Sequence, residues 1–138
     1  PSGVLSVTHW KMTRFWFKIE DAAKYIMRCL YEMQGGEVYV PHLPASTILD
    51  LAQAVAPKAD VKMVGIRPAE KIHEIMITDQ ESRNTVDQGW SYLITPDYHP
   101  WDAYAKWSGT PVVEGWQYSS ASAVRLSVEE LRELCKSA

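Results

Sequence analysis

With 138 residues, 46% of them hydrophobic and 22% charged, the chain has the balance of one ordinary globular domain, large enough to bury a core without disulfide or metal staples. A formal net charge of -3 and the lack of a basic stripe argue against a nucleic-acid partner. No apolar run approaches the ~20 residues of a membrane span. The first residues show no signal peptide, so a cytoplasmic protein is expected.

Val4 to Thr8 reads as a short strand leading into Met12–Phe17. From Ile19 the period changes. Ile19, Ala22, Ala23, Ile26, Met27, Leu30 and Met33 follow the spacing of one helical face. Glu20 and Asp21 suit the first turn of that helix, and Gly35-Gly36 ends it. Glu37–Val40 is a strand stopped by Pro41. Ser46 is the expected N-cap of a helix from Thr47 to Ala56, closed by Pro57. Val61–Gly65 is a strand. Pro68 to Ile75 reads as a short helix opened by proline at its first position. Residues 84–95 suggest a hairpin turning near Gln88-Gly89. Residues 96–113 lack periodicity and read as a loop. Ser127-Val128-Glu129-Glu130 is a capping box that opens a last helix. The result is a small α+β single domain, residues 1–138, of short strands and about four helices.

Two stretches carry chemistry. In Gly65-Ile66-Arg67-Pro68-Ala69-Glu70-Lys71-Ile72-His73-Glu74 an arginine follows a strand end and precedes a predicted helix start. An arginine fork there can hold phosphate oxygens, aided by free N–H groups of the helix end. Glu70 can accept from vicinal hydroxyls such as those of ribose. The alternative is an i, i+3 surface ion pair of Arg67 with Glu70. In Met12-Thr13-Arg14-Phe15-Trp16, Arg14 is either a stacked anchor or an anion ligand. Glu70-x-x-His73 is only half of a carboxylate di-metal motif, so no metal site is expected. His9, His42 and His99 read as ordinary surface or hydrogen-bonded histidines, and Cys29 and Cys135 as reduced thiols. Six tryptophans either fill the core or face a partner.

These stretches occur in order with Met33–Pro41, Tyr118-Ser119-Ser120 and Leu126–Leu131. The series resembles the C-terminal, substrate-binding part of the inverting UDP-N-acetylglucosamine 4,6-dehydratases. They are a polysaccharide-biosynthesis family of the extended short-chain dehydrogenase/reductase superfamily. The resemblance runs from about Ser6 to Cys135. It implies that Arg14 and Arg67 grip the pyrophosphate of a UDP-sugar and that Glu70 binds the ribose. It also implies that Met12 and Thr13 line the nucleotide pocket.

The family's other half is a Rossmann domain that binds NADP and carries a Tyr-x-x-x-Lys pair. The chain contains neither a glycine-rich dinucleotide loop nor a tyrosine with lysine four residues on, so no catalytic and no cofactor-binding residue is assigned. The family's Tyr-Ser-Ser-Asp-Asn-Asn is Tyr118-Ser119-Ser120-Ala121-Ser122-Ala123 here, and its Gly after Arg-Pro is Ala69. Three readings follow. The chain is a stand-alone remnant or module that binds nucleotide-sugar weakly. It is a self-associating assembly protein, a dimer or larger homo-oligomer. Or it is one half of a split NADP-dependent dehydratase completed by a separate Rossmann-domain chain.

Overall fold

The computed structural model describes residues 3–97 and 107–136. In chain order the elements are β1 (Val4–Val7), β2 (Thr13–Phe15), α1 (Ile19–Glu32), β3 (Val38–Pro41), β4 (Ala45–Thr47), α2 (Ile48–Val55) and β5 (Asp60–Met63). There follow β6 (Ile75–Ile77), a 3-10 turn (Glu81–Asn84), β7 (Thr85–Asp87), β8 (Ser91–Ile94), β9 (Thr110–Pro111), β10 (Tyr118–Ser119) and α3 (Val128–Lys136). They form an α+β fold that divides into two compact units. One comprises Pro1–Ile19, Leu43–Glu74 and Ser119–Ala138; the other comprises Glu20–His42 and Ile75–Tyr118.

The first unit holds two strand pairs and two helices. β1 runs parallel to β5, with Val4 opposite Asp60 and Val7 opposite Met63. β2 runs antiparallel to β4, with Thr13 opposite Thr47 and Phe15 opposite Ala45. The segment before α3 lies along β4: the Ala45 amide donates to the Val124 carbonyl and the Leu126 amide to that of Ala45. α2 packs on α3. Val7, Met12, Ala45, Ala52, Ala54 and Leu131 form the buried apolar core. α2 starts at a reciprocal capping box of Thr47 and Asp50, which satisfies two orphan amides at once. The cap is therefore Thr47, one residue beyond the expected Ser46. Ser46 is buried in β4 and its hydroxyl accepts from Trp16 Nε1 at 2.8 Å. α3 opens on the expected box, Ser127 with Glu130.

The second unit is built on a four-stranded antiparallel sheet, in the order β3-β8-β7-β9. β7 and β8 are the predicted hairpin, and the Gln88 amide donates to the Ser91 carbonyl across its turn. Pro41 is the last residue of β3, opposite Ser91, and the strand stops there as the sequence suggests. Proline is tolerated because β3 is an edge strand with one amide side unpaired. β9 was not legible as a strand. It fits only because residue 109 is glycine: a Cβ there would sit 2.9 Å from the Asp87 carbonyl oxygen. Residues 98–106, the middle of the predicted loop, lie outside the described residues.

α1 docks through a polar-aromatic contact. Tyr25 shares a 2.7 Å hydrogen bond with Ser91 and tilts against Trp90, while Arg28 lies 3.9 Å above the Trp90 ring. Trp116 packs with Tyr92 and Tyr118 in the same unit. Gly35 and Gly36, both at positive φ, end the helix as the sequence suggests. No residue of α1 is buried, and its apolar stripe is open: Ile26 is 58%, Met27 67% and Leu30 59% exposed.

One predicted element is absent. Pro68–Ile75 is not a helix; the described residues contain three α-helices, not four. Arg67–Glu70 is instead a β-turn, closed by the Glu70 amide on the Arg67 carbonyl at 3.1 Å. Pro68 occupies its second position and Ala69 its third, with φ of 63°. That is the type II pattern, and it aborts a helix because the third residue has the opposite sign of φ.

Candidate functional site

The turn sits on a lip of the first unit, and its geometry explains the fate of each predicted site residue. Arg67 is exposed, and its guanidinium has no protein partner among the described residues. The expected i, i+3 ion pair does not form. The Glu70 carboxylate turns back instead, with Oε2 accepting from the Arg67 amide at 3.0 Å and Oε1 from the Thr8 hydroxyl at 3.4 Å. Glu70 therefore braces the turn and leaves the Arg67 side chain free. No helix end stands here, so no helix dipole or free helical amides assist Arg67.

Arg14 lies on β2 and is committed inward. One terminal nitrogen donates to the carbonyls of Thr13 (2.7 Å) and Ile72 (3.2 Å), and the other donates to that of Lys71 (2.9 Å). Its Nε stands 3.5 Å from the Glu74 carboxylate. A guanidinium has five N–H donors in a fixed fork, and most of these are spent holding residues 71–74 against β2. Arg14 is thus neither a stacked anchor nor an open anion fork. Met12 and Thr13 are 3% and 1% exposed, so they form the floor under the lip rather than a pocket lining.

That floor contains a polar chain that the motifs alone did not reveal. The Glu74 amide donates to Ser120 Oγ at 2.9 Å. Ser120 Oγ lies 2.7 Å from Thr13 Oγ1, which lies 2.8 Å from His73 Nδ1. The Thr13 amide donates to the Ile72 carbonyl, and the Ser120 amide to that of Glu74. Ser120 is fully buried. Burying three hydroxyl and amide groups is tolerable because each finds a partner.

The surroundings are cationic. Burial lowers the affinity of His73 for a proton, and the charges of Arg125, Arg14, His9 and Lys11 lower it further, in that order. Beside them Trp10 is 57% exposed, stacked against His9, with the Lys11 ammonium 4.7 Å from its ring centre. Trp10 is thus exposed amid cations, whereas Trp16, Trp90 and Trp116 are half-buried. Among the described residues no group of three or more His, Cys, Asp or Glu could hold a metal ion. Cys29 and Cys135 are free thiols. Burial pushes the Cys29 thiol up, away from nucleophilic reactivity.

The site is thus a braced, cation-rich lip on a small α+β scaffold. The chain belongs to the polysaccharide biosynthesis protein family, whose model matches residues 1–96. It is 38% identical over 123 residues to a UDP-N-acetylglucosamine 4,6-dehydratase (inverting) of Campylobacter jejuni, a match covering 84% of this chain and 37% of the relative. A UDP-glucose 4-epimerase of Rickettsia felis is 30% identical over 141 residues, covering 94% of this chain and 40% of that protein. The X-ray structure of Pen from Bacillus thuringiensis shares the fold with a TM-score of 0.79 at 22% identity, over 97% of this chain and 40% of that one. The chain spans about two-fifths of the length of these relatives. Among the described residues no helix is long and apolar enough to cross a membrane. The family read from the motifs is the family the comparisons show.

Proposed function

We propose that this chain is a nucleotide-sugar-binding portion of a UDP-sugar dehydratase, with no catalysis by its own residues. The observation that carries the reading is Arg67, an exposed guanidinium with no protein partner, presented by a braced turn in a family with UDP-sugar enzymes among its relatives. Arg67 takes a phosphate pair of the pyrophosphate. Glu70 offers its remaining lone pairs to ribose hydroxyls. Arg14, with Met12 and Thr13, supports the lip from beneath, and its role is positional. Dehydration across a sugar needs a dinucleotide site and a general base. The chain has no glycine-rich dinucleotide loop and no Tyr-x-x-x-Lys pair, so NADP and the base belong to a Rossmann wall outside these residues, on further chain or on a separate polypeptide. An open half-cleft binds weakly, with Kd about 0.1–1 mM.

The test is titration of the purified chain with UDP and UDP-N-acetylglucosamine, followed by tryptophan fluorescence or chemical shifts. Saturable binding that Arg67→Ala abolishes supports the reading. No saturation up to millimolar ligand overturns it.

A second reading, self-association into a dimer or larger assembly, is favoured by the open apolar stripe of α1. A groove of about 410 Å³ lined by Tyr25, Ile26, Cys29, Leu30, Met33 and Val38 runs beside it. Large exposed apolar surface drives association. Light scattering across a concentration series checks this: a monomer at ~100 µM, a strength that ordinary weak association exceeds, rules it out.

A further inference from the structure

The floor beneath the lip has a property that simple anion binding does not require. His73 is three residues beyond Glu70 and is held by Thr13 through Nδ1. Its Nε2 has no protein partner among the described residues and is not a buried unpaired atom, so it is open to a ligand.

The hydroxyl chain behind it can run in either direction. With His73 neutral, the Glu74 amide donates to Ser120, Ser120 to Thr13, and Thr13 to Nδ1. With His73 charged, Nδ1 donates to Thr13, and the Ser120 hydroxyl turns to the Thr13 carbonyl, 3.2 Å away. Hydroxyls rotate freely and both donate and accept. Neither protonation state leaves a buried group unpaired, so the switch costs no hydrogen bond.

The opposing cost is electrostatic, and it comes from named groups. Arg14 on β2, His9 and Lys11 between β1 and β2, and Arg125 before α3 all disfavour a proton on the ring. Of the carboxylates flanking it in sequence, Glu74 is paired with Arg14 and Glu70 is engaged by the Arg67 amide and Thr8. A dianion on the lip would offset this cationic surplus.

We propose that His73 takes up a proton when a pyrophosphate diester binds this lip, so that its Nε2–H becomes a charged donor to the ligand. The inference rests on the nucleotide-sugar reading above and deepens it. One proton passes from solvent to Nδ1, the ring nitrogen that accepts from Thr13 in the neutral state, and no covalent bond to the ligand forms. By linkage, affinity rises as pH falls between the ligand-bound and the free values of the ring, by up to about tenfold per pH unit.

The probe is UDP-N-acetylglucosamine, whose pyrophosphate is esterified at both ends and does not itself titrate near neutrality. Calorimetric titration of the chain at pH 6–8, in two buffers of different ionisation enthalpy, counts the protons taken up. The expected result is a fractional uptake that grows toward one and a pH slope that flattens in His73→Gln. Should that variant not fold, the His73 ring resonances of the unaltered chain are followed instead; ligand must move their midpoint to higher pH. Binding with no proton uptake, or a slope that survives in His73→Gln and disappears in His9→Gln, overturns this inference alone. Absence of binding at every pH overturns it together with the reading it rests on.

Discussion

Ala69 is the one described non-glycine residue with positive φ, at 63°, and the sign of its replacement by glycine is calculable. An L-residue in the left-handed region costs ~1–2 kcal/mol. Glycine removes that strain but adds ~0.5–1 kcal/mol of chain entropy to be lost on folding. The strain term wins, so Ala69→Gly should stabilise the chain by about 0.5–1 kcal/mol. For a domain of this size that raises Tm by roughly 2–4 °C. Ala69→Val goes the other way, since a β-branched side chain is still worse at positive φ. Thermal unfolding followed by circular dichroism reads both. A lowered Tm for glycine would mean that Arg67–Glu70 is not a type II turn. The account of Glu70 bracing Arg67 would then fail as well.

Other expectations concern the floor and the caps. Arg14→Met removes three charge-assisted hydrogen bonds to carbonyls and should cost about 2–4 kcal/mol in urea unfolding; a loss under ~0.5 kcal/mol would mean that those carbonyls do not depend on it. Thr13→Val keeps the shape but leaves His73 Nδ1 without its partner, while Ser120 retains the Glu74 amide and the Thr13 carbonyl, for a loss of about 1–3 kcal/mol in the same assay. Thr47→Ala opens the α2 capping box and should cost ~1 kcal/mol. Glu81 is held below the usual carboxylate range by the Thr78 amide and hydroxyl. Its contribution is present above the unfolded pKa and is lost as pH falls through the lower folded value. Acid titration of stability should therefore be shallower in Glu81→Gln.

Elements with local signals were legible. α1, the β7–β8 hairpin and the α3 capping box are each written in a few neighbouring residues, and all three stand where expected. The misses share a cause. Pro68 signals a helix start and a type II turn equally well, and the choice was made by Ala69, a residue that does not advertise positive φ. β4 and β9 are two- or three-residue strands whose pairing depends on distant partners, which local periodicity cannot report. At the site, Arg67 and Glu70 were found on a motif and did meet, though through a backbone amide rather than as an ion pair. His73 and Ser120 escaped because they lie 47 positions apart in the chain, and only the folded β2 segment brings Thr13 between them.

The strand pair in the first unit bears on what covers this molecule in use. Parallel strands occur almost only where both faces are covered, and a two-stranded sheet alone is marginal in water. Yet every residue of β5 is exposed, and Val4 of β1 is 63% exposed. The strands carry Val61 and Met63, with Val64 and Ile66 beyond, at 44–51% exposure; these are apolar residues that gain nothing from water. Asp60 and Lys62 alternate with Val61 and Met63 along β5, so the charges and the apolar residues point to opposite faces of the strand. Keeping apolar residues there is consistent with a neighbouring wall of polypeptide, which is what the proposed dehydratase half-site needs to become a closed, dry cleft. Covering these strands would also raise the strength of every charge interaction at the adjoining lip, because excluding water lowers the local dielectric. The same event that buries β5 would then tighten the hold of Arg67 and sharpen the proton response of His73. Adding a complementary Rossmann chain should therefore increase both UDP-sugar affinity and its pH slope together; a gain in affinity with an unchanged slope would separate the two effects and refute their common electrostatic origin.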